Sequence, residues 1–131
     1  MIHKFENNVL ETVAVKPKAS TATENAGTGV DMAKFRNYVA VVMLAAATQY
    51  SGPLTAVIAE STDNSSYSDT YLATVTIAST TDTDAVDTVE IRAEQMSAGY
   101  RYARVELTPV GTVSNIAAVN LRFNARFAAV Q

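Results

Sequence analysis

The feature that most constrains this chain is a long period-two alternation near its C-terminal end. Ala117, Val119, Leu121, Phe123, Ala125, Phe127 and Ala129 occupy one parity, and Asn120, Arg122, Asn124 and Arg126 occupy the other. A β-strand sends successive side chains to opposite faces, whereas a helical period scatters the same residues around its axis. The segment therefore reads as a strand. From Ala117 to Ala129 it would span about 43 Å. That exceeds the usual strand length, so a bend, a bulge or a kink near Asn124 is expected. The apolar parity, including Phe123, is expected to face the core, and the Asn/Arg row to face outward.

Other segments read the same way. Tyr38 to Thr48 is apolar on both parities, as in a central strand covered on both faces. Ser51-Gly52-Pro53 is a turn signal, followed by a strand from Leu54 to Glu60. A polar loop runs from Ser61 to Ser68, a strand from Tyr71 to Ala78, and a second polar loop from Ser79 to Asp84. Thr88 to Ala93 alternates Val89 and Ile91 with Glu90 and Arg92. Tyr100 to Thr108 places Ala103, Val105 and Leu107 on one face and Tyr100, Tyr102, Arg104 and Glu106 on the other. Pro109 to Asn115 reads as a turn region. Turn signals about every ten residues point to an all-β, antiparallel β-sandwich or jelly-roll-like fold.

Residues 1–29 differ from the rest. Pro17 to Gly29 is mostly small and polar. The segment is expected to be an extended N-terminal arm with a short first strand over Val9 to Val15. Residues 30–131 would then form the single sandwich domain. Fully extended, such an arm would reach on the order of 95 Å, far enough to touch a neighbouring subunit.

Composition narrows the chemistry. Among the 131 residues are 22 Ala, 16 Val and 16 Thr, a set that favours pleated surfaces and closely packed layers. There is no cysteine and a single histidine, His3. Thiol catalysis, zinc-thiolate sites and iron–sulfur clusters are excluded, and Ser-His-Asp catalysis is disfavoured. The formal net charge of −3 argues against a generic nucleic-acid binder. No apolar run approaches the length of a membrane helix, and the start of the chain lacks a signal-peptide core. A soluble protein made in the cytoplasm is expected, with no cofactor, no metal and no catalytic residues.

The remaining motifs carry little chemistry. Asp82-Thr-Asp84-Ala-Val-Asp87 resembles a calcium-loop fragment but lacks the turn glycine and the distal glutamate, so a solvated hairpin loop is expected. Gly27-Thr-Gly29 is followed by Val30-Asp31 rather than by a lysine or a helix start, so it reads as a turn. Charge is uneven. Residues 60–94 hold eight acids and one base, while residues 101–131 hold four arginines and one acid. Such opposed ends suit contacts between subunits. Tyr and Arg are also enriched at interfaces. Lys4, Lys16, Lys18, Tyr100, Tyr102, Arg104, Arg122 and Arg126 are therefore the candidate contact residues.

The run Gly27-Thr-Gly29-Val30-Asp31-Met32, the later Leu54-Thr-Ala-Val-Ile-Ala-Glu-Ser61-Thr-Asp-Asn64, and Gly99-Tyr-Arg-Tyr-Ala-Arg-Val-Glu-Leu-Thr108 resemble small structural proteins of tailed bacteriophages. They look like capsid decoration, or cement, proteins or other virion structural proteins. The resemblance covers about residues 27–110. It implies a non-enzymatic virion protein that binds and stabilises the capsid. The implied partner is the major capsid protein or another virion protein. It also implies a homo-oligomer, with a trimer favoured at capsid three-fold positions, and virion localisation. A tail, baseplate or connector protein is an alternative. A carbohydrate-binding β-sandwich module is an alternative of another class, against which the absence of Trp counts.

Overall fold

The computed structural model describes residues 9–21, 24–32, 38–46, 53–77 and 84–123. These residues form β1 (Val9–Thr21), β2 (Asn25–Ala26), β3 (Val30–Asp31), β4 (Tyr38–Ala46), β5 (Leu54–Ser61), β6 (Ala73–Ile77), β7 (Asp84–Ile91), β8 (Tyr102–Pro109) and β9 (Thr112–Phe123). The first sheet has the order β1-β9-β4-β7. The second has the order β2-β8-β5-β6, with β3 also pairing β8. Every pairing is antiparallel. The chain is an all-β sandwich.

Its core follows the period-two reading of β5 and β8. Ala56 lies opposite Leu107 and Ile58 opposite Val105, all between 0 and 1% exposed. From the first sheet they meet Ala14 and Val15 of β1, Val89 and Ile91 of β7, and Ile116 and Ala118 of β9. Leu, Ile and Val alternate with Ala across the layers, so large side chains fill the space that small ones leave.

Of the N-terminal segment expected as an arm, Val9–Thr21 is a 13-residue strand bonded to β9. Register shifts between Val13 and Val15, and again before Lys18 and Ser20, mark the bulges. The first shift turns two consecutive residues, Ala14 and Val15, into the core. Residues 1–8 lie outside the described residues.

Gly27 sits where the chain passes between β2 and β3. Its N–H donates to the Val105 carbonyl at 2.7 Å, and a Cβ there would stand 2.8 Å from that oxygen and from the Val105 side chain. Glycine is required by this close approach of two backbones.

Three segments differ from their sequence reading. Asp84 and Asp87 belong to β7 and pair with Ala46 and Met43, so this part of the acidic run is a strand and not a hairpin loop. Asp82 lies outside the described residues. β9 begins at Thr112, leaving Val110-Gly111 as the whole turn after β8, with Gly111 at φ +83°. The wide turn read over Pro109–Asn115 came from its Pro, Gly, Ser and Asn, but pairing of Thr112 and Val113 with Thr21 and Ser20 of β1 carries the strand through this stretch.

The third difference is parity. Ile116 and Ala118 are fully buried members of the core cluster, while Ala117, also buried, lies outside it. The core-facing parity of β9 is thus opposite to the one read from the Leu/Phe row. Both parities of this strand are rich in apolar residues around 116–119, so alternation alone did not decide which faced inward. Residues 124–131 lie outside the described residues.

Candidate interaction surface

The outer face of the second sheet carries a connected group of tyrosines, arginines and carboxylates. It begins with β8, whose inward residues Ala103, Val105 and Leu107 force Tyr102, Arg104 and Glu106 outward by alternation. Arg104 and Glu106 are two residues apart and share that face. The Arg104 Nε donates to Glu106 Oε1 at 2.8 Å, and Nη2 lies 2.7 Å from the same oxygen. Glu24, next to β2, stands 4.0 Å from Nη2. The Glu106 side chain is only 6% exposed, so this pair is largely removed from water.

The segment after β5 folds back over this face. Its start is an Asp-centred turn. Asp63 Oδ1 accepts the N–H groups of Ser65 and Ser66, both at 2.9 Å, and the Ser61 hydroxyl at 3.0 Å. These donors hold the Asp63 carboxyl far below its usual range, the Ser66 and Ser65 N–H groups most strongly. Asn64 adopts φ +63°, a conformation that Asn tolerates better than most residues. The turn delivers Tyr67, whose hydroxyl donates to Asn64 Oδ1 at 2.5 Å. The Arg104 guanidinium lies 4.0 Å from the centre of the Tyr67 ring, in cation–π contact. Partial burial pushes the Tyr67 phenol up.

Tyr71 is 43% exposed, and desolvation together with Glu106, Asp69 and Glu24 raises its pKa. Arg101 grips Asp31 through both ends of its fork, at 2.8 and 2.6 Å, and stacks 5.6 Å from the Tyr102 ring. That carboxylate raises the already high pKa of Arg101.

Chemically, the arrangement is a rigid presentation of aromatic edges and charges. Tyrosine supplies contact area with few rotors to freeze, and the paired arginines hold the rings in place. Among the described residues no group of three or more His, Asp or Glu is placed to hold a metal ion. A shallow cavity of about 320 Å³ lies elsewhere, lined by Glu90, Ile91, Arg92, Glu94 and Gln95.

Two candidate contact residues, Tyr102 and Arg104, fall in this group. Tyr100 lies just before β8, is 37% exposed, and donates its N–H to the Ser97 carbonyl at 3.0 Å. Lys16 and Lys18 are exposed on β1, an edge of the other sheet, and Arg122 takes a register position opposite Leu10 and Val39. The structure therefore does not gather the lysines and Arg122 with the tyrosines. Lys4 and Arg126 lie outside the described residues. Sequence reasoning missed Tyr67, Tyr71, Glu24 and the Arg101–Asp31 fork. Tyr102, Arg104 and Glu106 were legible, because alternation places them on one strand face.

Comparison with known proteins locates the fold. No protein-family model matches the sequence, and no curated protein sequence is similar to it. A solved structure described as "Bacillus endospore appendages form a novel family of disulfide-linked pili" is similar, with a TM-score of 0.51 at 13% identity. The match covers 89% of this chain and 88% of that chain. The likeness is one of fold. This sequence contains no cysteine, so the disulfide linkage in that description has no counterpart within its 131 residues.

Proposed function

We propose that this chain is a non-enzymatic structural subunit that works by adhesion, as a decoration protein on a bacteriophage capsid. The observation that carries the adhesive part is the pair Tyr67 and Tyr102, braced by Arg104 and Arg101 on a sheet, with exposed Tyr71 nearby. Residue types enriched at interface centres are thus gathered on one preorganised surface. The capsid as partner rests on the sequence resemblance over about residues 27–110. Each copy would bridge neighbouring shell subunits, stabilising the shell by mass action, with many weak contacts adding through symmetry. We also read the strand orders β1-β9-β4-β7 and β2-β8-β5-β6 as jelly-roll winding.

The test is co-sedimentation with purified expanded capsids. Wild-type protein is expected to pellet with them, and the double variant Tyr71→Ala/Tyr102→Ala to bind at least about tenfold more weakly. Failure of the wild type to pellet overturns the reading. A second reading, subunit of a self-assembling appendage, draws on the similarity in fold to the pilus chain over most of both lengths. Filaments formed by the purified chain under the electron microscope would favour it.

A further inference from the structure

The outer face of the second sheet holds the row Ala26–Glu106–Val57–Thr74, in register across β2, β8, β5 and β6. The segment after β5 is tied down at two points beside it. The Ser68 N–H donates to the Glu60 carbonyl and the Leu72 N–H to the Ile58 carbonyl, both at 2.9 Å. In the row itself the Glu106 side chain is 6% exposed.

That buried carboxylate is only half matched. Both contacts from Arg104, through Nε at 2.8 Å and Nη2 at 2.7 Å, reach the same oxygen, Oε1. Among the described residues Oε2 accepts no hydrogen bond. A buried carboxylate oxygen without a donor is uncommon, because it loses its water without replacement. Arg104 is already shared, since its guanidinium also faces Glu24 at 4.0 Å and lies on the Tyr67 ring. Tyr71 feels the charge of Glu106, Asp69 and Glu24 together, and Tyr71, Asp69 and Glu24 are all exposed. Three carboxylates thus converge on one open ring. Among the described residues Arg104 is the one cation paired with any of them.

We propose that this place, bounded by Glu24, Asp69, Glu106 and the Tyr71 ring, takes an arginine side chain of the partner protein. A guanidinium carries its N–H donors in a flat fork, with one for Oε2 and others for Glu24 or Asp69. Its plane can lie on the Tyr71 ring as Arg104 lies on Tyr67. Charge favours the same occupant, because three carboxylates against one shared arginine leave two negative charges in excess. An anion or an apolar side chain would leave Oε2 without a donor. The inference rests on the adhesive reading and gives its partner a chemistry.

The probe is the peptide acetyl-Gly-Gly-Arg-Gly-Gly-amide, titrated to about 20 mM onto the isotope-labelled full chain and followed by backbone amide shifts. The control is the same peptide with citrulline, which keeps the shape and lacks the charge. Saturable shifts centred on positions 24–26, 67–72 and 104–107 are expected with arginine, and none with citrulline. Glu24→Gln/Asp69→Asn, at two exposed positions, should raise the dissociation constant at least about fivefold. Tyr71→Leu should weaken binding and Tyr71→Phe keep it, since the ring supplies the stacking. Glu106→Gln should weaken it too, and if that variant does not fold, the exposed pair of substitutions decides. The proposal is overturned by the absence of saturable shifts, by an equal response to citrulline, by shifts centred on β7, or by indifference to Glu24→Gln/Asp69→Asn. Shifts of the same amides on concentrating the chain alone would give the place to a second copy and overturn it as well. A chain that takes the peptide but fails on capsids overturns the capsid reading alone. One that binds capsids and ignores the peptide overturns this inference alone.

Discussion

Gly29 and Asn64 adjoin so closely that no β-carbon fits between them. A Cβ on Gly29 would overlap Asn64 Oδ1 and the Tyr67 hydroxyl, the two atoms joined by the hydrogen bond that fixes the Tyr67 ring. A glycine that reads in the sequence as a turn residue is therefore the seat of the tyrosine surface. Gly29→Ala is expected to cost about 1–3 kcal/mol, since the turn must shift to make room. Adding Asn64→Gly removes the nearer obstacle, releases the Tyr67 hydroxyl from its hydrogen bond so that it can swing aside, and suits the positive φ at position 64. The double variant should then be more stable than the two single costs add up to. Urea denaturation of all four proteins measures the coupling.

The Arg104–Glu106 pair makes a second prediction. Arg104→Ala leaves Glu106, 5% exposed, without its cation. The Arg104 side chain is itself 22% exposed, so water softens the penalty and the expected cost is about 1–3 kcal/mol. Arg104→Lys should recover only part of it, because an ammonium lacks the planar fork that stacks on Tyr67. Chemical denaturation of the two variants beside the wild type measures the difference.

Asp63 makes the pH prediction. Its folded-state pKa is depressed by the N–H groups of Ser66 and Ser65. A depressed carboxyl adds stability above its unfolded pKa and loses it as pH falls toward the folded value. The stability difference between wild type and Asp63→Asn should therefore be full above about pH 5 and shrink progressively below about pH 4. Denaturation curves at several pH values measure it. A difference that grows on acidification would contradict the turn described here.

Strand parity makes the fourth. Ile116→Ala should cost about 2–4 kcal/mol, because Ile116 is fully buried in the core. Val13→Ala, at an exposed edge position, should change monomer stability by less than about 0.5 kcal/mol. Thermal melts of the two variants check which parity of the first sheet faces inward.

These contrasts show what the sequence made legible. Alternation in Ala103, Val105 and Leu107 was enough to orient β8, because its other parity is polar and the two faces are unlike. It failed to orient β9, where Ile116, Ala117, Ala118 and Val119 are apolar in sequence and the partner strands decide the face. The Thr88 strand was found but its start was misplaced, since acids at 84 and 87 mimic a loop while β4 pairs their backbone. The site was legible only as Tyr102, Arg104 and Glu106 on one strand. Tyr67 reached it through a loop fold, and Asp31 through a contact 70 residues distant, for which no local pattern exists.

The most direct test of the account is a titration of the purified chain onto bacteriophage capsids, counting copies bound per shell. Adhesion to a symmetric surface predicts saturation at a fixed number set by the shell, with loss of bound copies in the Tyr71→Ala/Tyr102→Ala variant. Absence of bound protein at every concentration, or uptake that rises without a plateau and ignores those substitutions, would contradict it.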